Sequence, residues 1–481
     1  MNTEYNVSER QTTGTLNVSS FLREEPKPGA GETSFLGDQG KPVPGAKVSI
    51  RDINGNLLTT LLTDESGQTK NVKLPAPKKS LSLAPVDVIP YAKYNVTVEA
   101  PGYVTSEIKG VQIFADTEST QPVPLTDIRQ TNNRQPQEIT ISDHALLGKV
   151  PKLLEEQINK EIKSLPPAPL PPAPLPTEYA LIMLPETIVP EYIIVHDGHP
   201  NNNSASKYKV SFKAYITNVA CSEIYPTWPI ESIKANVTCI VSFTLNRIMT
   251  EFYKGKGKKF TITSSTAFDH KWIRERTIYQ TISNVVDNIL ARYISFFEYP
   301  PHFPFLAQYC DGKRVKCQKW LSQWGSKYLA DAGKTDLEIL KNYYGSTVKL
   351  FTANQAQGLP ESFPGYNLQV GSKGDVVKDM QTYLNSISNN YPAIEKLQAD
   401  GLFGPATQKA IKKFQAIFRL PQTGIVDYIT WYKISDIYVA VNKFAEGREL
   451  QHTSSPFRNF HSLNEGDTYS PYVTWVPIIK Y

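Results

Sequence analysis

Residues 212–249 read FKAYITNVACSEIYPTWPIESIKANVTCIVSFTLNRIM, and the fold of everything around them turns on how this stretch is parsed. Phe212, Tyr215, Ile216 and Val219 recur at three- and four-residue steps, the spacing of one apolar face on a helix. Pro226 ends that helix, because proline lacks an amide hydrogen and pushes the residue before it out of helical geometry. Thr227 is the expected N-cap of a second helix, with Pro229 tolerated in its first turn. Ile230, Ile233, Val237, Ile240, Val241 and Leu245 form that helix's apolar stripe. Glu223 then stands at the end of the first rod, beside the bend, close in sequence to Tyr225 and Trp228. A carboxyl held against aromatic surface is desolvated, and its pKa rises toward the range useful for donating a proton. A glutamate at a helix end is as often an ordinary solvated residue, and spacing alone leaves the two readings level.

The bend carries more than spacing. Ser222-Glu223-Ile224-x-Pro226-x-Trp228-Pro229-x-Glu231-x-x-Lys234-Ala235 resembles the signature of the SpoIID/LytB family of peptidoglycan lytic transglycosylases. The resemblance implies that Glu223 is the catalytic acid.

At 481 residues the chain is long enough for about three domains. Its 51 Lys plus Arg nearly balance 46 Asp plus Glu, and no basic run tracks a phosphate backbone, so nucleic acid is not an expected partner. The start, MNTEYNVSERQTTGTLNV, has neither the charged region nor the apolar core of a Sec signal. No apolar run reaches the roughly 18 to 20 residues that span a bilayer, so the chain is not expected to be an integral membrane protein. The four cysteines, Cys221, Cys239, Cys310 and Cys317, are too few for a disulfide scaffold. Cys310 and Cys317 are close enough to bridge, make a poor zinc site, and are read as free or buried thiols.

Residues 14–127 read as an all-β unit. Leu16-Asn17-Val18, Ala46–Ile50 and Tyr94–Val98 are short alternating strands set between turn signals. Gly40-x-Pro42-Val43-Pro44-Gly45-Ala46-x-Val48-x-Ile50, Asp64-Glu65-Ser66-Gly67 and Ala100-Pro101-Gly102-Tyr103 resemble the carboxypeptidase regulatory-like, transthyretin-like β-sandwich. That resemblance implies an accessory, targeting or inhibitory unit over residues 1–127. A linker follows at 128–178. Its polar start, TDIRQTNNRQPQE, is a place for proteases to cut, and 126–150 is the expected stretch for an activating cleavage. Leu154, Ile158, Ile162 and Leu165 make a short amphipathic helix, and the Pro166–Pro176 repeat makes an extended spacer of about 3 Å per residue.

Residues 179–353 hold the bend and what surrounds it. His196 and His199 invite a metal reading, but no HExxH helix accompanies them and a turn with two solvated histidines is expected. No metal and no cofactor is expected at the site. Phe260–Thr263 alternates like a strand and leads into Ser264–His270, which resembles the family's Ser/Thr-rich lining of the substrate groove; hydroxyls and a carboxylate suit a sugar. Ala307–Gly312 and the block Leu321-Ser322-Gln323-Trp324-Gly325, followed by Glu338-Ile339-Leu340-x-x-Tyr343-Tyr344, resemble the family's cleft and closing segment. Ser265, Thr266, Asp269, Tyr309, Gln323 and Trp324 are therefore the expected substrate-binding residues. Cys317-Gln318-Lys319-Trp320 departs from the family, which carries a His-Gly pair there.

Residues 366–437 bear the most specific pattern. Leu368-x-x-Gly371-Ser372-x-Gly374-x-x-Val377-x-x-Met380-Gln381-x-x-Leu384, Asp400-Gly401-x-Phe403-Gly404-x-x-Thr407, Phe414-Gln415 and Thr423-Gly424-Ile425-Val426-Asp427-x-x-Thr430-Trp431 resemble the three-helix peptidoglycan-binding domain. Val377, Met380 and Leu384 form a helix face, the Gly pairs make tight turns, and Phe403, Phe414 and Trp431 fill the core. Residues 438–481 are a tail without a readable signature.

Altogether the expectation is a multidomain α+β chain: a transthyretin-like β-sandwich, a SpoIID-like α+β catalytic unit and a three-helix binding unit. That order resembles clostridial spore cortex-lytic enzymes of the SleC type. It implies a proenzyme stored at the spore cortex and coat boundary, cut by a subtilisin-like germination protease, and acting on cortex peptidoglycan. Glu223 alone would protonate the glycosidic oxygen and then take the proton of the muramic 6-hydroxyl, closing a 1,6-anhydro ring. A hydrolytic muramidase would need a second carboxylate about 5 to 9 Å away, for which Asp269 is the candidate. A zinc amidase and a non-catalytic wall-binding protein are the other rivals.

Overall fold

The computed structural model describes residues 12–23, 33–36, 41–86, 88–147, 187–190, 192–296, 303–314, 317, 319–355, 364 and 366–442. The amphipathic segment 154–165, the proline repeat and the tail beyond 442 lie outside the described residues.

The N-terminal unit is two facing sheets. In one, Thr13–Arg23 lies between antiparallel Val72–Pro75 and parallel Glu118–Asp127. The other runs in the order Gln137–Thr140, Ser106–Ile113, Ala92–Glu99, Lys47–Arg51, Leu57–Leu62. Period-two alternation does the sorting: Tyr94, Val96 and Val98 point inward from one strand and meet Leu16, Val18 and Val123 from the facing sheet.

This unit is stitched to the next by strands. Thr33–Leu36 adds to the edge of a four-stranded middle sheet by pairing in parallel with Lys207–Ser211. In return Ile278–Tyr279 pairs antiparallel with Ser119 and Thr120 of the sandwich. The sequence boundary at 127 is thus crossed in both directions in space.

Helix α1 (Phe212–Glu223) starts where Ser211 accepts the amide of Ala214 at 3.1 Å. It stops at Ile224, whose backbone is extended two residues ahead of Pro226. Helix α2 (Ile230–Met249) begins with Pro229 in the capping position. Thr227 does not cap it: its hydroxyl donates to Ser82 Oγ of the sandwich unit at 2.7 Å. The expected stripe is buried from Ile233 to Leu245, but Ile230 is exposed. Ser232, Asn236, Thr238 and Thr244 on the other faces of α2 are buried as well, so the helix runs through the middle of the protein. Its hydroxyls survive burial by bonding back along the helix, as Thr238 to Lys234 O and Thr244 to Ile240 O do.

Around α2 pack α3 (Gln280–Ile289), α4 (Gln323–Asp331) and α5 (Asp336–Tyr344), together with the ribbon formed by Arg292–Phe296 and Val348–Thr352. Cys310 and Cys317, close enough in sequence to bridge but read as free or buried thiols, are joined as a disulfide with Cα atoms 5.8 Å apart; Cys221 and Cys239 are free and buried. The short strand Tyr309–Cys310 pairs with Leu321–Ser322, and that pairing holds the two Cys-bearing segments side by side.

The C-terminal unit is three helices, α6 (Asp375–Ile387), α7 (Pro405–Ile417) and α8 (Tyr428–Asn442), around Val377, Met380, Leu384, Phe403, Phe414 and Trp431. One device is used twice. Buried Gln381 accepts the amide of Gly401 and donates to Leu402 O and Thr407. Buried Gln415 accepts the amide of Gly424 and donates to Ile425 O and Thr430. Each glutamine clamps a glycine turn at positive φ, 76° at Gly401 and 71° at Gly424, to the helix that follows.

Candidate active site

Glu223 ends α1 and is buried, with 4% of its surface exposed. Its neighbours are aromatic. Tyr225, Trp228 and Trp324 form a continuous wall with ring centroids 4.9 to 6.0 Å apart. The bend produces this wall, because breaking the chain between Ile224 and Pro229 turns Tyr225 and Trp228 inward.

Few groups compensate the carboxyl's lost hydration. The backbone amide of Lys271 donates to Oε1 at 2.6 Å, and Gln323 Nε2 reaches Oε2 at 3.4 Å. The buried Tyr309 hydroxyl also lies against the carboxyl and draws its pKa down. Burial outweighs them all and lifts the Glu223 pKa to about 7, where a carboxylic acid is half protonated at neutral pH. Behind Tyr309 stand His270, stacked on its ring at 5.7 Å, and Tyr215, bonded to His270 Nδ1 at 3.0 Å. Burial pushes His270 down to about 3, so it is neutral and adds no charge near the acid.

The N-terminal unit seals this corner. Ser82 accepts the indole N–H of Trp228 at 2.9 Å, and Tyr91 and Phe114 pack into the same core cluster as Tyr225. The segment after the sandwich lies on the end of α1 itself. Ala145 N donates to Ser222 O at 2.8 Å, His144 Nε2 meets Ile224 O at 3.1 Å, and the His144 ring packs tilted against Tyr225 with centroids 4.6 Å apart. Lys271 Nζ holds Asp143 O and Arg314 Nη2 holds Ala145 O, both at 2.5 Å. Residues 143–147 therefore bridge the three segments that meet at Glu223.

The expected site residues divide in two. Tyr309 and Gln323 reach Glu223, and Trp324, next to Gln323, packs on Tyr225 with ring centroids 6.0 Å apart. Ser265 and Thr266 lie in the turn 264–268, where Ser265 O accepts the amides of Phe268 and Asp269 and Thr266 is exposed. Asp269 is a brace: its carboxylate binds Arg247 at 2.9 Å, the Tyr253 hydroxyl at 2.7 Å, and both the amide and hydroxyl of Thr263. With its side chain wholly buried and all four bonds inward, it has no oxygen left for water or sugar. His196 is not the solvated residue expected; it is buried, stacked on Phe260 at 4.4 Å and bonded to His199 O at 2.9 Å, while His199 is exposed. Sequence reasoning missed Lys271 and residues 143–147. Both act largely through backbone atoms, which leave no mark in side-chain pattern.

Residues 373–434 match a family described as putative peptidoglycan binding domain. The chain is 40% identical over 68 residues to an uncharacterized protein in the bpoA1 3' region of Kitasatospora aureofaciens; the match covers 14% of this chain and 53% of that protein, about half its length. The minor pilin GBS52 of Streptococcus agalactiae aligns with 24% of this chain and 46% of its own, at 16% identity and a TM-score of 0.16. The TIE protein of Bacillus anthracis aligns with 24% of this chain and 18% of its own, at 19% identity and a TM-score of 0.15. The C-terminal match concerns residues 373–434 alone and points to a cell-wall association of the C-terminal unit. Among the described residues no helix is long and apolar enough to cross a membrane.

Proposed function

We propose that this protein is the proenzyme of a peptidoglycan lytic transglycosylase acting on spore cortex, with Glu223 as its one acid and base. The observation that carries the reading is a carboxyl that is buried, half protonated at neutrality and set beside an aromatic wall, on a chain whose C-terminal unit matches a putative peptidoglycan binding domain. Protonated Glu223 gives its proton to the oxygen between N-acetylmuramic acid and N-acetylglucosamine as that bond breaks. The carboxylate left behind takes the proton of the muramic 6-hydroxyl, which attacks the anomeric carbon and closes the 1,6-anhydro ring. The Lys271 amide and Gln323 hold the carboxyl in place, and Trp228 and Trp324, buried in the uncut chain, are the aromatic faces that release of the N-terminal unit would open to a sugar ring. Asp269, locked in its four bonds, is not available as a second carboxylate to activate water, which favours transglycosylation over hydrolysis.

In the uncut chain residues 143–147 keep substrate from Glu223, and cleavage by a subtilisin-like germination protease releases them. This location sharpens where the cut must fall. Residues 137–140 pair with the sandwich, so a cut beyond Leu147 separates the plug together with the sandwich. A cut before Ser142 leaves the plug attached to the catalytic unit. The test is digestion of purified cortex by the full chain nicked beyond residue 147, beside the same preparation of Glu223→Gln, with soluble products weighed. Anhydro fragments, one water lighter than hydrolysed ones, from wild type alone support the reading; equal release by both preparations ends it.

A further inference from the structure

Two cations beside Glu223 are occupied by one short run of backbone. Lys271 Nζ donates to Asp143 O and Arg314 Nη2 donates to Ala145 O, each at 2.5 Å. The same two segments also touch the acid's end of α1: the Lys271 amide donates to Glu223 Oε1 at 2.6 Å, and Ala145 N donates to Ser222 O at 2.8 Å. Carbonyls two residues apart lie at most about 7 Å from each other, so the two cationic heads stand within about 12 Å of one another. They converge on a single occupant, residues 143–145, and that occupant lies against Glu223.

The occupant's groups are neutral where their partners are charged. Among the described residues no carboxylate lies in ion-pair range of Lys271 Nζ, whose acceptor is the Asp143 carbonyl. The nearby acid, the Asp143 side chain, is held by the sandwich unit through Lys93 at 2.5 Å and Tyr91 at 3.1 Å, so it departs with that unit when the plug is released. Arg314 is ion-paired with Asp311. Arg276, wholly buried, bonds Cys221 O two residues before the acid and has no carboxylate in ion-pair range either. Removing the plug therefore leaves half-buried Lys271 without its acceptor, in a corner with positive charge to spare. Such a group calls for a new acceptor, and an anion is favoured over a neutral oxygen. Lys271 draws the Glu223 pKa down, and an anion docked on it offsets that pull and keeps the acid protonated.

Resting on the lytic reading of this corner, we infer that Lys271 and Arg314 form a subsite for a carboxylate on the lactyl arm of N-acetylmuramic acid, and that residues 143–145 hold its place in the uncut chain. The carboxylate has two sources, the lactyl acid itself or an acid of the peptide attached there. Binding is measured at fixed ionic strength on the nicked Glu223→Gln chain, in which the proposed acid is gone. The ligands are a peptide-free glycan tetrasaccharide, the same tetrasaccharide with its lactyl acids converted to methylamides, and the peptide-bearing tetrasaccharide. The uncut chain, with both cations occupied, reports the share of binding owed to the C-terminal unit. Nicking is expected to make an acidic ligand bind about tenfold tighter than the methylamide. A preference for the peptide-free acid identifies the lactyl carboxyl, and one confined to the peptide-bearing ligand identifies the peptide. Lys271→Met, which retains the backbone amide that Glu223 uses, cuts the preference to below about twofold; Lys271→Arg restores most of it, and Arg314→Gln lowers it about threefold. No preference after nicking, or one that both Lys271→Met and Arg314→Gln leave undiminished, overturns the inference. Lysis by the nicked wild type is scored separately. Anhydro products without a charge preference remove the subsite and leave the lytic reading, and a preference without lysis does the reverse.

Discussion

The corner at Glu223 and the C-terminal unit are both built on a helix that ends in a turn, yet they are held in opposite ways. In the C-terminal unit two glycine turns are each clamped by a glutamine 9 or 20 residues away, Gln415 to Gly424 and Gln381 to Gly401. At Glu223 the bonds come from far along the chain: Ser82 to Trp228, Ala145 to Ser222, Gln323 to Glu223. The first arrangement is satisfied within the unit itself. The second leaves a carboxyl dependent on distant segments of the chain. The proposed activation by cleavage relies on the second, since it loosens the Glu223 corner without touching the C-terminal turns.

Several measurements would break or sharpen this contrast. The largest effect falls on the acid: Glu223→Gln lowers lytic turnover of the nicked chain by about 10²- to 10⁴-fold, read from soluble muropeptide release, with cortex binding unchanged. Next, Phe414→Ala empties the C-terminal core and costs about 3–5 kcal/mol there, seen as loss of that unit's protection in hydrogen exchange while the Glu223 corner keeps its own. Third comes pH. The Glu223 pKa is about 7 in the fold against 4.5 for a free glutamate, so the folded state holds the proton more tightly. Its stabilising contribution is complete below about pH 4.5 and is lost as pH rises through 7, about 3 kcal/mol in all. Denaturant midpoints of wild type should fall across that window relative to Glu223→Gln; parallel curves would mean the carboxyl is solvated.

Smaller effects test the clamps and the plug. Gln381→Leu strands the amide of Gly401 and costs about 1–3 kcal/mol, measured by chemical unfolding of the C-terminal unit. His144→Ala removes one bond and one ring contact from the plug. Loosening it by about 1 kcal/mol should raise residual lysis by the uncut chain about fivefold, without changing lysis once the chain is nicked.

Much of this was readable along the chain because it depends on near neighbours. The three- and four-residue recurrence from Phe212 to Val219 and the stop at Pro226 are backbone sterics acting within one or two turns. The Asp-Gly and Thr-Gly turns and the Phe403, Phe414 and Trp431 core sit within 62 matched residues. Each signal is short-range and repeated, so composition and spacing report it faithfully.

Other features depended on segments that sequence order keeps apart. Thr227 looks like a cap and instead bonds Ser82, 145 residues earlier. Asp269 looks like a groove carboxylate and is consumed by Arg247 and Tyr253. Cys310 and Cys317 become neighbours through the pairing of Tyr309–Cys310 with Leu321–Ser322. Local periodicity thus placed Glu223 at its bend, while the closed chain gave it a pKa near 7, since desolvation is a property of everything packed around a carboxyl.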